Sequence, residues 1–178
     1  SVPAAAATFD LNGDGRSAIV IRNPGTGANR VIFMNGTQVI SDAPIAPLAD
    51  RDYVMAALAD FNLDNRADLL WRHQADGSLY AWFMNGLAVS GGSFLTPSAF
   101  ADPQWSMRAV ADFDGDGRSD LLWHHQGSGS LYVWFLGGAN GVVTQSGSHL
   151  TPSAIADTQW KIVQVADFNA DGKNDILW

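Results

Sequence analysis

Internal repetition constrains this chain more than any other feature. Residues 58 to 71 read LADFNLDNRADLLW, residues 110 to 123 read VADFDGDGRSDLLW, and residues 165 to 178 read VADFNADGKNDILW. An eroded copy, TFDLNGDGRSAIVI, occupies residues 8 to 21. The first aspartates of the four copies, Asp10, Asp60, Asp112 and Asp167, are 50, 52 and 55 positions apart. The rest of the period repeats as well: NRVIFMNG, SLYAWFMNG and SLYVWFLGG follow successive copies, and SFLTPSAFADPQW is matched by SHLTPSAIADTQW. A period of this size marks one supersecondary unit stacked on its neighbours, because a single unit is too small to bury its own apolar face.

The third unit shows the pattern most clearly. Apolar runs at Trp105–Ala111, Asp120–His125, Leu131–Leu136 and Gly141–Ser146 are separated by turns rich in Gly and Ser, and each has the length of a strand. No stretch sustains apolar spacing at 3.6 residues for more than two turns, so helix finds little support. Four antiparallel strands in a unit of roughly fifty residues is the signature of a propeller blade. The predicted fold is therefore all-β, with β-propeller-type repeats of four-stranded antiparallel blades. A single array covers residues 1–178, in units of approximately 1–52, 53–104 and 105–159 and a half-unit at 160–178. Three and a half units do not close a ring. This predicts either a homodimer completing a propeller or the remainder of a longer chain supplying the missing blades.

All eighteen acidic residues are Asp, against ten Lys and Arg, for a formal charge of -8. A short carboxylate is favoured where a tight turn must bring several oxygens onto one point. The few, scattered basic residues argue against a nucleic-acid partner. The chain has no Cys, which removes disulfide and thiolate chemistry. It has no apolar run long enough to span a membrane, and its N-terminal stretch lacks the basic start of a secretory signal.

Twelve of the eighteen Asp lie in the four repeated loops. In the third copy Asp112, Asp114, Asp116 and Asp120 occupy loop positions 1, 3, 5 and 9, Gly117 at position 6 permits a left-handed turn, and the carbonyl of Arg118 at position 7 supplies a further oxygen. The corresponding ligands are Asp60, Asn62, Asp64, Asp68 and the carbonyl of Arg66 in the second copy. In the fourth they are Asp167, Asn169, Asp171, Asp175 and the carbonyl of Lys173. The first copy keeps Asp10, Asn12, Asp14 and the carbonyl of Arg16, and is expected to bind most weakly. An all-oxygen donor set favours calcium over zinc or copper, and magnesium demands a stricter octahedron. Position 12 is Ile21, Trp71, Trp123 or Trp178, not the bidentate Glu of an EF-hand. Four divalent ions would add +8 to a chain of -8.

The core D-F-[ND]-x-D-[GN]-[RK]-x-D-[LI]-L-W resembles the FG-GAP or VCBS-type repeats of bacterial secreted proteins and of the head of integrin α subunits. The resemblance covers nearly the whole chain and implies a β-propeller whose hairpin loops carry calcium, in proteins of adhesion or recognition. Ala18 in the first copy departs from the pattern, as does Asn65, which stands where Gly is usual. On this reading the chain is a non-catalytic recognition or adhesion module, secreted or at the cell surface, with a protein or glycan ligand. A lectin and an accessory domain of a secreted enzyme are the alternatives.

Trp71, Trp123 and Trp178, with Trp82 and Trp134 on the next strand, are expected to pack between blades, since Ile21 and Ile32 replace them in the first unit. Tyr80 and Tyr132, with Arg30 in their place in the first unit, are expected on the opposite side. His73, His124 and His125 lack the partner spacing of a zinc site and read as exposed residues without a role. The two LTPSA stretches, Leu95–Ala99 and Leu150–Ala154, read as connections between blades.

Overall fold

The computed structural model describes residues 9–171 and 174–178. Among these residues the chain is built from strands and turns, with no helix. The first sheet holds β1 (Ala18–Arg22), β2 (Asn29–Asn35) and β3 (Gln38–Ile45). The strand expected ahead of it would fall in residues 1–8, outside the described residues. The second sheet is a four-stranded meander of β4 (Tyr53–Ala59), β5 (Asp68–His73), β6 (Leu79–Asn85) and β7 (Ala88–Phe94). The third repeats it with β8 (Trp105–Ala111), β9 (Asp120–His125), β10 (Ser130–Gly137) and β11 (Val143–Ala154). A final pair, β12 (Gln164–Ala166) and β13 (Asp175–Leu177), begins the fourth. Every pairing within the sheets is antiparallel.

The entering strands β4, β8 and β12 lie beside one another, so the sheets stack with their first strands at a common inner edge. One correction concerns β11. It starts at Val143 and runs through Leu150–Ala154, so that Ala154 pairs with Ser130. The second LTPSA stretch is therefore strand, whereas Leu95–Ala99 does make a connection, with Thr96 bonded to Val142 and Thr144 of the third unit. Gly141 is left out of the strand because it sits at φ 64°, where a Cβ would collide with the carbonyl of Phe61 in the preceding unit.

Period-two alternation sends each strand's side chains to two different neighbours. In the second sheet Leu69, Trp71, Trp82 and Met84 pack with Leu11, Ala18, Val31 and Ile45 of the first unit. On the opposite face Leu70, Leu79, Ala81 and Phe83 pack with Leu121, Trp123, Trp134 and Leu136 of the third. Trp71 and Trp123 are fully buried and Trp82 and Trp134 nearly so, which makes them inter-sheet core as expected. Tyr80 is two residues from Trp82 and joins the same cluster, so the expectation of opposite sides is corrected. Its ring meets Phe94 edge-on, at 4.8 Å.

A second repeating contact joins the sheets. The residue after the Trp position carries a basic group onto the Trp of the following unit. Arg22 lies over Trp71 at 5.1 Å and Arg72 over Trp123 at 5.5 Å. His124 meets Trp178 edge-on at 6.0 Å. His124 is thus buried, contrary to the expectation of an exposed pair. Arg72 also donates to the carbonyl of Trp105 at 3.0 Å. Replacing Arg72 with Ala removes a desolvated cation–aromatic contact and a charged hydrogen bond together. Urea denaturation should show a loss of about 2–4 kcal/mol, whereas Arg51→Ala should be nearly neutral.

Candidate metal centre

Each Asp loop joins the first two strands of its unit and is shaped by its own carboxylates. The position 1 side chain gathers amides from the curling backbone. Asp10 Oδ1 accepts from Asn12, Gly13 and Asp14, and its Oδ2 accepts from Gly15 at 2.7 Å. Asp60 takes the amides of Asp64 and Asn65, and Asp112 those of Gly115 and Gly117. The position 5 carboxylate does the same one step on, with Asp14, Asp64 and Asp116 accepting from Arg16, Arg66 and Arg118 at 2.8–2.9 Å. Such a turn needs left-handed residues. Gly15, Asn65 and Gly117 provide one at position 6, as the sequence predicts. Position 4 is left-handed too, which sequence reasoning missed. Gly13 and Gly115 occupy it without strain, but Leu63 and Ala170 adopt φ 62° and 63° there.

The structure separates the expected ligands into two levels. Asp112, Asp114 and Asp116 bring one oxygen each to within 4.8 Å of one another at the loop tip. Asp120 lies beneath them, fully buried at the start of β9, with Oδ2 on the Phe113 amide at 2.8 Å and Oδ1 on the Leu136 amide at 3.0 Å. Asp68 is placed likewise, on the amides of Phe61, Asn62 and Met84, and Asp175 accepts from Phe168. In the second and third units position 9, at the start of the second strand, thus ties its own loop to the third strand of its sheet. Burial pushes the carboxyls of Asp68 and Asp120 up to about 6, against the opposing pull of those amides. The carbonyl of Lys173 lies outside the described residues.

The copies differ in how they balance charge. Where position 3 is Asn, its side-chain amide donates to the position 5 carboxylate, from Asn12 to Asp14 at 3.3 Å, Asn62 to Asp64 at 3.4 Å and Asn169 to Asp171 at 3.4 Å. Asp114 offers no such donor, so the third loop presents three carboxylates together. Position 7, singled out in the sequence for its carbonyl, also contributes its guanidinium. Arg16, Arg66 and Arg118 lie 3.5, 3.9 and 3.9 Å from Asp14, Asp64 and Asp116. These half-exposed pairs are weak in water.

The loops also touch one another. The residue at position 8 donates to the position 1 carbonyl of the preceding unit, from the Ala67 amide to Asp10 at 2.7 Å, Ser119 Oγ to Asp60 at 3.5 Å and Asn174 Nδ2 to Asp112 at 2.6 Å. Around these contacts runs an open depression of about 930 Å³ lined by Asp10, Asp60, Asp64, Arg66 and Asp112.

Position 9 makes a clear test of this arrangement. In chelator, Asp68→Ala or Asp120→Ala leaves two or more amides without an acceptor and should cost about 2–4 kcal/mol by denaturant titration. The folded form holds these protons to about pH 6, above the ordinary carboxyl value of 3.8. Their ionisation therefore costs ion-free stability as pH rises through that window and is complete above it. The variants should lack this gain on acidification from about pH 6 to 4.

The description FG-GAP-like repeat belongs to the family model that matches the chain three times, over residues 10–71, 60–123 and 112–178. Each match runs from one Asp loop through the next, the same span over which the inter-unit contacts recur. Among curated proteins, none matches the chain. With its matches together covering residues 10–178, the chain belongs to the FG-GAP-like repeat family.

Proposed function

We propose that the chain is a calcium-stabilised, non-catalytic β-propeller module for recognition or adhesion, acting as a secreted or cell-surface protein. The observation that carries the calcium reading is the third loop, where Asp112, Asp114 and Asp116 converge without a side-chain amide among them. Carboxylates so placed repel one another, and a hard divalent cation relieves the repulsion. Asp120 keeps unused lone pairs on both oxygens and can join the shell from below. The second and fourth loops are proposed to bind through Asp60, Asn62, Asp64 and Asp68, and through Asp167, Asn169, Asp171 and Asp175. The first, lacking a carboxylate at Ala18, binds most weakly. Sites of ~10⁻⁴–10⁻³ M affinity suit the calcium level outside the cell.

The first unit's free face supports a further blade as partner. Ile19 and Ile21 are 48% and 44% exposed, at the places of Leu69 and Trp71, which the preceding unit buries completely. A unit of the same repeat fits there, from the remainder of a longer chain or from a second copy. A lectin reading draws less support, because Trp71, Trp82, Trp123 and Trp134 are committed to the core and Trp160 is the half-exposed one. Binding on a glycan array would revive it.

Calcium should raise the melting temperature of chelator-treated protein. An ion at about a hundred times its Kd contributes about 2.7 kcal/mol, or roughly 5–10 °C at this chain length. Asp112→Ala with Asp116→Ala should remove more of that shift than Asp10→Ala with Asp14→Ala. No response to chelation in scanning calorimetry would overturn the proposal. For the partner, light scattering that finds a single-chain mass at every concentration would remove the second copy.

A further inference from the structure

Away from the Asp loops, one imidazole stands among three carboxylates. His73 closes β5 with Nε2 3.4 Å from Asp50 Oδ2 and Nδ1 3.1 Å from Asp76 Oδ1. Asp50, Asp52 and His73 each place a ligand atom within 4.8 Å of the others. The imidazole is largely buried, and the ring of Tyr53 packs edge-on against it at 4.8 Å, which fixes its plane. A neutral imidazole has one N–H and one lone pair. Here both nitrogens lie near carboxylate oxygens, a neutral ring can donate to only one of them, and the buried Nδ1 makes no hydrogen bond.

The equivalent ring of the third unit has no such conflict. His125 Nε2 faces Asp102 Oδ2 at 3.0 Å, and its Nδ1 accepts from the Ser128 amide at 3.0 Å, with Ser128 Oγ equally close. A single proton on Nε2 satisfies that whole group. Two of the differences between the units bear on charge around the ring: Asp76 stands where the third has Ser128, and Asp52 where it has Gln104. The first puts a carboxylate behind the ring, and the second adds a carboxylate in front of it.

We propose that His73 Nε2, Asp50 and Asp52 form a second cation site, of a chemical class distinct from the Asp loops: a site for a transition metal such as zinc. Asp76 stands behind the ring, 3.1 Å from Nδ1, and Nε2 is the nitrogen nearer Asp50, the placement from which a carboxylate orients a metal-binding histidine. One imidazole nitrogen with two carboxylate oxygens is a zinc-type donor set, poorly suited to calcium. Asp50 and Asp52 are exposed, which leaves a fourth position for water. Arg22 Nη2 donates to the Asp50 carbonyl at 3.0 Å and steadies that ligand's backbone.

The test is a calorimetric titration of zinc into the full chain in calcium-containing buffer, where any zinc uptake is read separately from the Asp loops. The expected result is one zinc per chain. Asp52→Gln copies the third unit's own residue and so preserves the turn; it and His73→Gln should each weaken binding at least about tenfold, and Asp76→Ser by about ten- to a hundredfold. His125→Gln should bind as the unaltered protein does. Cobalt in place of zinc should give visible absorption bands that His73→Gln abolishes. The proposal is overturned if the chain takes up no zinc. It is equally overturned if Asp52→Gln and His73→Gln take up zinc undiminished.

Discussion

The contact on which the stack depends is the one between the start of an Asp loop and the unit that follows it. The position 1 carbonyls of Asp10, Asp60 and Asp112 each receive a hydrogen bond from the next loop. One residue on, the Leu11 carbonyl accepts from the Gly86 amide, and Gly141 approaches the Phe61 carbonyl too closely for any side chain. These oxygens point outward only because the position 1 carboxylates have drawn the following amides inward. Loop shape and the seating of the next sheet are thus one variable. An ion that steadies the loop would act on the whole stack, which is why its proposed role is structural.

That coupling accounts for the tolerance of the copies to change. The first loop has lost its position 9 carboxylate to Ala18, yet Asp10 collects four amides, more than Asp60 or Asp112 does. In the second and third loops part of this work passes to Asp68 and Asp120 below. Asn at position 3 and Arg at position 7 lessen the crowding of charge where they occur. The third loop keeps the guanidinium but not the amide, and it is the one that concentrates negative charge at its tip.

Much of this was legible in the sequence because the repeat reports the same structural demand several times. The strands over Trp105–Ala111 and Asp120–His125 fall where alternation and turn residues place them. The tryptophans could be read as core because Ile stands in for them in the first unit, and Trp71 and Trp123 are fully buried between sheets. Position 9 was less legible. Spacing aligns Asp120 with its loop, but strand alternation turns its carboxylate under the loop, and the amide of Leu136 that meets it is sixteen residues away. The same limit hid the partners of His73 and His125, since Asp50 and Asp102 approach from another strand's connection. Leu63 and Ala170 gave no sign of left-handed backbone, although Gly at the same place in two other copies did.

The series Arg22, Arg72, His124 gives the stack a direction. The first two joints are clasped by a permanent guanidinium lying on indole, with further bonds to neighbouring carbonyls. At the third, burial above all, with Arg108, Lys161 and His125 nearby, depresses the proton affinity of His124, so an uncharged ring meets Trp178. Neither of its nitrogens has a hydrogen-bonding partner among the described residues. The third clasp is therefore ring packing alone, without the cation that holds the first two.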